Sequence, residues 1–415
     1  MDHLNQVIDL LSRSHSPFHA VSEMETELQK HSFTLLAEDK PFEIKPGGKY
    51  YVKRNGTSII AFAIPEKPSF AFQIAATHND SPSFKLKPHP FVQSSQGVKL
   101  SVEPYGGALF YTCLDRPLSF AGRVIALKEG VVTERLFDLT DASFVIPSLA
   151  IHQNRAANES LALNPAVDLL PLLGKAPEKL EDLIAQEGEE ILSHDLFLYI
   201  KEDPKIVGLA KDQLLCPRLD DLSSAYSSLL AFVSMEKEEG NIPLFASFDN
   251  EEVGSLTRQG ARSDFLVNVL DRILLALGAN EEERIMAASK SVMLSVDNAH
   301  ANHPNHPEIA DPTTMVKLNG GIVIKYNANA NYTTDAVASA YVKDLCKALN
   351  EPYQEFSNRS DMRGGSTLGN LSNGKISMMT ADIGIAQLAM HSSVELCGTE
   401  DIEKMADLLR KHYEK

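Results

Sequence analysis

The stretch SFAFQIAATHND, from Ser69 to Asp80, indicates the fold at the centre of this protein. Its apolar residues form a nearly continuous run, which is typical of a strand buried on both faces of a sheet. Such strands occur in parallel sheets that helices cover on both sides. The run ends at His78, so polar side chains follow where this strand would leave the core.

The segments on either side repeat this α/β rhythm. Apolar spacing from Leu4 predicts a first helix, and Ser16-Pro17 predicts the start of a second. Asn55-Gly56 lies between two β-rich runs and predicts a hairpin. Beyond Cys216 the predicted helices are DDLSSAYSSLLAFVSMEKEE, FLVNVLDRILLAL and IEKMADLLRKHYEK, and the predicted strands are IPLFASF and SVMLSV.

The middle of the chain has a different pattern. From about Phe84, apolar and polar residues alternate between Pro and Gly turns, which predicts antiparallel β structure. Within this region, residues 175–192 (KAPEKLEDLIAQEGEEIL) are expected to be helical and LFLYI to be a strand. We therefore predict one α/β domain, residues 1–83 and 214–415, interrupted by a β-rich insert, residues 84–213.

Composition narrows the classes of function. The net charge of −17 argues against a nucleic-acid partner, because phosphate backbones attract basic surfaces. No apolar run approaches the roughly 20 residues that span a bilayer, and the N-terminus lacks the pattern of a secretory signal. The four cysteines are scattered without a CxxC pair, which favours free thiols in a reducing cytoplasm.

Five segments place a metal-capable side chain just beyond an apolar strand, or at the start of the helix that follows one. In open α/β sheets, residues at the carboxyl ends of different strands meet in one crevice. We therefore expect these side chains to converge, although each of them alone is more often structural or solvated. They are His78, Asp220, the adjacent Glu251 and Glu252, Asp297 and His391.

The charge of this set predicts a metal centre. Three clustered carboxylates would shift their pKa values strongly without cations, whereas two divalent ions sharing one bridging carboxylate would neutralise them. The imidazole and carboxylate ligands suit zinc, with manganese or cobalt as substitutes. One glutamate of the Glu251-Glu252 pair would bind metal, and the other would accept a proton from water and pass it to the leaving amine.

Two aspartates beside these ligands have other expected roles. Asp80 is placed to accept the second imidazole N–H of His78 and fix its tautomer. Asp221 is expected to have no metal role, and whether it caps the following helix stays open.

Two further motifs are predicted to have roles other than metal binding. AHANHPNHPE carries His300, His303 and His306, but Pro304 breaks the helical face on which such ligands would converge. We expect His300 or His303 to lie near the substrate instead. RGGSTLG (363–369) lacks the lysine of a P-loop and indicates a turn close to a bound ligand.

With these residues in hand, the chain resembles the aspartyl aminopeptidase family of two-metal zinc exopeptidases. The resemblance implies a zinc-aminopeptidase-like α/β/α catalytic domain with an inserted β-rich dimerisation domain that also gates substrate. The matching segments follow the family's order along nearly the whole chain. They are SPFHAV, THNDSP, EPYGGALF, LDRPLSFAGRV, IPSLAIHQNR, PRLDDL, FDNEEVGS, SVDNAHANHPN, KYNANANYTTD and QLAMHSS.

The resemblance also implies roles for single residues. Asp220 matches the bridging carboxylate and Glu251 the general base, and the other metal ligands are His78, Glu252, Asp297 and His391. His152 matches a histidine that family members lend to a neighbouring subunit's active site. Lys325 matches a lysine that meets an acidic substrate side chain. Family members form dimers through the insert and tetrahedral dodecamers from those dimers.

Two departures from the family pattern leave the metal ligands intact but leave the preferred N-terminal residue open. Relatives commonly read RLDN where this chain has Arg218-Leu219-Asp220-Asp221, and SDMRGGSTLG also differs. The leading hypothesis is an aminopeptidase that removes N-terminal, acidic residues from peptides. The alternatives are a two-metal hydrolase of an N-acyl amino acid or of a C-terminal peptide bond, and a non-catalytic assembly or cargo protein of the same fold.

Overall fold

The computed structural model describes residues 3–362 and 364–415. The α-helices are α1 His3–Arg13, α2 Pro17–Lys30, α3 Pro165–Asp168, α4 Glu181–Ile184, α5 Leu219–Ser234, α6 Phe265–Ala276, α7 Glu281–Lys290, α8 Ala336–Leu349, α9 Leu368–Asn373 and α10 Thr399–Glu414. Short 3-10 helices cover Phe110–Cys113, Glu251–Val253 and Pro307–Ile309.

The β-strands form three sheets. They are β1 Thr34–Leu35, β2 Lys49–Arg54, β3 Ser58–Ala63, β4 Lys67–His78, β5 Ser83–Ser94, β6 Gly97–Tyr105, β7 Leu118–Lys128, β8 Val131–Asp138, β9 Leu172–Gly174, β10 Glu189–Ile200, β11 Lys205–Val207, β12 Gln213–Cys216, β13 Glu239–Phe248, β14 Val292–Val296, β15 Ala299–His300, β16 Ile322–Tyr326, β17 Tyr353–Ser357, β18 Met379–Gly384, β19 Ala386–Leu388 and β20 Glu395–Gly398.

The strand predicted from SFAFQIAATHND lies in the middle of the largest sheet. That sheet has nine strands in the order β1-β2-β3-β13-β4-β14-β18-β16-β17, and β4 pairs in parallel with both of its neighbours. The strand is buried from Ala71 to His78. Because β4, β13 and β14 run in the same direction, their carboxyl ends lie at one edge of the sheet.

Helices cover both faces of this sheet, which explains why β4 is apolar on both sides. Ala75 belongs to a core built with α1, α2, α5, α8 and α10, whereas Ile74 and Ala76 pack in a second core with α6, α7 and α9. Phe245 of β13 is fully buried in the first core. Truncating it to alanine should cost about 3–5 kcal/mol, as is usual for buried aromatic residues.

Local signals at the start of the chain are confirmed. Pro17 opens α2, and the Ser16 hydroxyl accepts the backbone N–H of His19 as the helix cap. Asn55 and Gly56 connect β2 to β3 with φ of 57° and 71°, the left-handed conformation that a tight hairpin turn requires.

Residues between Ser83 and Ile200 build a separate six-stranded sheet, in the order β8-β7-β10-β5-β6-β9, with its own hydrophobic core. The helix expected over residues 175–192 is wrong: only the single turn α4 forms there, and β10 begins at Glu189. Gly188, with φ of 78°, turns the chain before that strand. The carboxylate of Glu189 is then held by the guanidinium of Arg135 at 2.8 Å, so sheet pairing overrides helix propensity.

A five-stranded sheet, β11-β12-β20-β19-β15, completes the fold. It holds Cys216 opposite Glu395, and His300 opposite Gln387, near the carboxyl edge of the main sheet. The assignment of residues 84–213 to one domain stays a prediction. Among the described residues, none of the helices is long and apolar enough to cross a membrane.

Candidate metal centre

The structure brings together the five strand-terminal sites proposed from sequence. His78 is the last residue of β4, and Phe248, its partner on β13, leads directly into the Glu251–Val253 turn. Asp297 follows the end of β14, and Asp220 lies in the first turn of α5. His391 comes after β19 and reaches the same place from the five-stranded sheet.

Asp220 lies between two groups of potential ligands. Its Oδ1 is 3.4 Å from Nε2 of His78, which is itself 3.8 Å from Oδ1 of Asp297. Its Oδ2 is 3.4 Å from Nε2 of His391, and that nitrogen is 3.2 Å from Oε1 of Glu252. In each group, ligand atoms from all three residues lie within 4.8 Å of one another. One carboxylate therefore offers one oxygen to each group.

The donor set fits metal ions. Oδ1 of Asp220 is buried and has no hydrogen-bond partner among the described residues. A buried, unpaired carboxylate oxygen is costly unless a cation meets it. The Nδ1 atoms of His78 and His391 contact backbone carbonyls, of Asp80 at 3.1 Å and Gly107 at 3.2 Å. This arrangement leaves both Nε2 atoms facing the carboxylates, as metal-binding imidazoles do.

The electrostatics of the site also favour the binding of cations. Burial lowers the pKa of His391, but the carboxylates of Asp220 and Glu252 outweigh it and raise that pKa to about 11. Burial also lowers the pKa of His78, but the carboxylates of the surrounding aspartates outweigh burial and hold that pKa well above its usual value. The field that draws protons onto these two imidazoles also attracts divalent cations.

The two adjacent glutamates differ in their surroundings. Glu252 contacts His391, whereas Glu251 belongs to neither of the two groups that share Asp220 and forms a third potential metal group with His78 and Glu252. Burial, with the nearby charges of Asp297 and Glu252, raises the pKa of Glu251 to about 8. A carboxylate with a pKa in this range can both accept and release a proton near neutrality.

Asp80 does more than the expected contact with His78. Its carboxylate Oδ1 is 3.4 Å from the imidazole Nδ1, farther than its own backbone carbonyl. The same carboxylate accepts the backbone N–H groups of Glu251 and Glu252, each at 3.1 Å. Asp80 therefore holds the turn that carries both glutamates as well as lying beside the histidine.

Asp221 is fully buried and joined to Asp220 by a cis peptide bond. Its Oδ2 accepts the backbone N–H of His78 at 3.2 Å, and the helix α5 begins earlier, at Leu219. Asp221 belongs to none of the potential metal groups found among the described residues. This carboxylate thus ties the first turn of α5 to the end of β4.

The ligands line an open cavity of about 740 Å³. Lys325 and His300 also line it, together with Tyr332, Phe356 and the segment Gly365–Thr367. That segment belongs to the RGGSTLG motif, of which Arg363 lies outside the described residues. The ammonium of Lys325 is buried and donates to the backbone carbonyls of Asp297 at 2.7 Å and Asn298 at 3.1 Å.

Three histidines that the sequence analysis also considered, His152, His303 and His306, do not line the cavity. His152 is exposed in a turn of the insert and does not line the cavity. His303 and His306 are neighbours, with ring centroids 5.3 Å apart, and neither belongs to a potential metal group of the described residues.

Sequence reasoning missed Glu395, which supports both sides of the centre. Its Oε1 accepts the backbone N–H of His391 at 2.7 Å, and its Oε2 accepts that of Asp220 at 2.9 Å. The residue is fully buried in β20. An acidic residue inside the short apolar run VELCG was the available signal, because a buried carboxylate needs partners.

The chain is similar to known proteins along nearly its whole length. A family model described as aminopeptidase I zinc metalloprotease (M18) matches residues 10–413. A probable M18 family aminopeptidase 2 of Clostridium novyi is 41% identical over 412 residues, covering 96% of this chain and 95% of that protein. The equivalent protein of Ectopseudomonas mendocina is 36% identical, with 98% and 97% covered.

Solved structures resemble the whole chain. A chain in the cryo-EM structure of the Ape4 and Nbr1 complex matches with a TM-score of 0.95 and 32% identity, covering 100% of this chain and 85% of that one. The S. cerevisiae mApe1 dodecamer matches with a TM-score of 0.86 and 28% identity, covering 99% and 96%.

Proposed function

The chain belongs to the aminopeptidase I family of zinc metalloproteases (M18) and is a metal-dependent aminopeptidase, and on that premise we propose that it removes acidic N-terminal residues from peptides with two bridged divalent ions. The observation that carries the two-ion proposal is the position of Asp220. Its two oxygens face separate groups, each completed by one histidine and one further carboxylate. A single-ion site would not need this duplication.

The proposed ligands divide around Asp220. His78 and Asp297 would hold one ion, Glu252 and His391 the other, and the nitrogen and oxygen donors suit zinc, with manganese or cobalt as substitutes. Two such ions, when bound, polarise a substrate carbonyl and lower the pKa of water. Asp80 and Glu395 would keep the ligands in place through the backbone of the segments that bear them.

Glu251 is the proposed general base. Assigning the ions to the two groups that share Asp220 leaves the carboxylate of Glu251 available to accept a proton from the attacking water. The same carboxyl group would then give that proton to the nitrogen of the leaving peptide. A pKa near 8, raised by burial, lies close enough to neutrality for this carboxyl group both to accept and to release a proton.

Substrate preference is proposed to depend on Lys325. Lys325 is the lysine found among the described residues that line the cavity. Its ammonium is buried, and burial strengthens the electrostatic attraction between this charge and an acidic substrate side chain. Its ammonium also lies 3.4 Å from Oδ2 of Asp297 and offsets part of the negative charge of that carboxylate. We propose His300, at the cavity wall near Phe356, as a further substrate contact.

We also propose a homo-oligomer assembled from dimers that form through the insert, up to a tetrahedral dodecamer. The edge strand β8 exposes Val131, Val132 and Leu136, an apolar surface that a second copy could cover. His152 is exposed on the same insert and is the proposed contribution to a neighbouring active site. Native mass spectrometry tests the assembly, and His152→Ala tests the shared residue.

The reaction is tested with purified protein on a substrate panel. Metal content is measured first, and hydrolysis is then compared for peptides that differ only in the N-terminal residue. An excess of kcat/KM for Asp and Glu over Leu supports the proposal. Hydrolysis only of N-acyl amino acids or of C-terminal peptide bonds favours the other hydrolase, and no hydrolysis by metal-loaded protein favours an assembly role. The matched control is Glu251→Gln, which keeps the size of the side chain.

The cellular location is also a proposal. All four cysteines are buried free thiols, as expected in a reducing cytoplasm.

A further inference from the structure

One segment of the insert reaches the metal centre. It runs from Tyr105, the last residue of β6, through Gly106 and Gly107 to Thr112, and we call it the 105–112 segment. Gly106 has φ of 71°, and a Cβ there would lie 3.0 Å from Cβ of Glu252. The segment therefore passes directly over one of the two glutamates.

Tyr105 makes a hydrogen bond from the insert to Asp80. Its hydroxyl donates to Oδ2 of Asp80 at 2.7 Å and accepts from Nδ2 of Asn250 at 2.8 Å. Its ring packs edge-on against Phe197 of β10, at a centroid distance of 5.3 Å. Burial and the charge of Asp80 raise the pKa of Tyr105, so the hydroxyl keeps its proton and stays a donor.

The hydrogen bond from Tyr105 to Asp80 matters because Asp80 holds the turn that carries both glutamates. The carboxylate of Asp80 accepts the backbone N–H groups of Glu251 and Glu252. This single carboxylate therefore links the tyrosine hydroxyl to the backbone of the proposed base. Asp80 is completely buried, and water cannot readily replace a donor that is removed. The orientation of this carboxylate therefore depends on a residue of the insert.

The same segment also contacts the opposite side of the centre. The backbone carbonyl of Gly107 is the acceptor beside Nδ1 of His391, and the N–H of Leu109 donates to the His391 carbonyl at 2.9 Å. The hydroxyl of Ser393 donates to the Thr112 carbonyl at 2.7 Å. The insert thus provides outer partners for ligands on both sides of the site.

We propose that Tyr105 is a positioning residue through which the insert orients Asp80 and, with it, the turn that carries Glu251 and Glu252. This role rests on the proposed function of Glu251 as the base. It makes the insert part of the support of the metal centre, in addition to its proposed role in assembly. A disturbance of the insert near β6 would reach the chemistry by this route.

The test compares two removals of a tyrosine hydroxyl from the same segment. Tyr105→Phe deletes the bond to Asp80, whereas Tyr111→Phe deletes the hydroxyl of a residue that is 59% exposed. Partners in the outer shell of metal sites typically contribute about 10- to 100-fold to activity or metal affinity. We expect Tyr105→Phe to lower kcat by about that factor with KM changed less than about twofold, and Tyr111→Phe to match the unmodified protein. Equal kcat for the two variants overturns the proposal.

Two further measurements separate positioning from a general loss of structure. If Tyr105 acts through Asp80, Tyr105→Phe should have no further effect on kcat in protein that already carries Asp80→Asn. In metal-free protein, amide hydrogen exchange at Glu251 and Glu252 should be faster in Tyr105→Phe than in Tyr111→Phe. The exchange measurement does not need peptidase activity, so it still decides the proposal if no peptide is hydrolysed. Unchanged exchange at both amides contradicts it.

Discussion

Replacing Asp220 by asparagine should remove two ions, whereas the same change at Asp297 should remove one. Asp220 is shared by both potential metal groups, but Asp297 belongs only to the group with His78. Both substitutions replace a carboxylate by an amide of the same shape, so packing changes little. We expect metal content to fall from two ions per chain to none for Asp220→Asn, and to one for Asp297→Asn.

The same comparison predicts a difference in stability. At a free metal concentration 100-fold above Kd, each bound ion stabilises the folded protein by about 2.7 kcal/mol. The unmodified protein should therefore gain about 5 kcal/mol from metal, Asp297→Asn about half of that, and Asp220→Asn almost nothing. Comparing each variant with and without metal cancels the effect of the substitution on the metal-free fold.

The assay combines elemental analysis of dialysed protein with denaturant unfolding in zinc and in chelator. Two ions retained by Asp220→Asn would refute the shared carboxylate. An equal loss for both variants would refute the division into two groups, because it would mean that the ions bind only together. His306→Ala, a change at a histidine whose side chain is 63% exposed and that belongs to none of the potential metal groups of the described residues, is the control and should keep both ions.

Three further predictions follow from single side chains. Glu251→Gln should retain both ions while kcat falls by about 10²- to 10⁴-fold, as for loss of a general base, and near-normal turnover would exclude that role. Lys325→Met should reduce the ratio of kcat/KM for N-terminal Asp over Leu by at least about tenfold, the effect of one charge-assisted contact, and an unchanged ratio would leave specificity without this lysine. Burial raises the pKa of Glu395 in the folded protein from its ordinary value of 4.5 to about 8, so folding is favoured while this group is protonated, and that contribution to stability is lost as pH rises from about 4.5 to 8. In chelator, Glu395→Gln should therefore show a weaker decline of the unfolding free energy over that range, and the same slope as the unmodified protein would count against it.

Local sequence patterns predicted the main elements because short-range physics determines them. The buried strand β4, the hairpin at Asn55-Gly56 and the cap at Ser16 all depend on residues within a few positions of one another. The helix expected over residues 175–192 failed because Glu189, Glu190 and Ile191 pair with β7, far away in the chain. Propensity cannot anticipate such a partner.

The positions of the ligands that lie at or after the ends of strands of the main sheet, His78, Glu251-Glu252 and Asp297, were predictable for a related reason. A parallel sheet places the carboxyl ends of its strands at one edge, so His78 and Asp297 had to be near each other once β4 and β14 were recognised. Tyr105 and Glu395 were not predictable in this way. They reach the centre from other sheets, and their bonds to Asp80 and His391 follow from how those sheets pack.

By itself, the sequence determined the α/β order of the elements, the ligand types and the edge of the sheet at which they meet, because periodicity and side-chain chemistry are local properties. The tertiary structure alone decided that Asp220 presents one oxygen to each group of ligands and that Lys325 is held by backbone carbonyls. It also decided that the insert contacts Asp80 through Tyr105. Hydrogen-bond distances of about 3 Å between segments more than 20 residues apart depend on the packing of whole sheets, which no local pattern encodes.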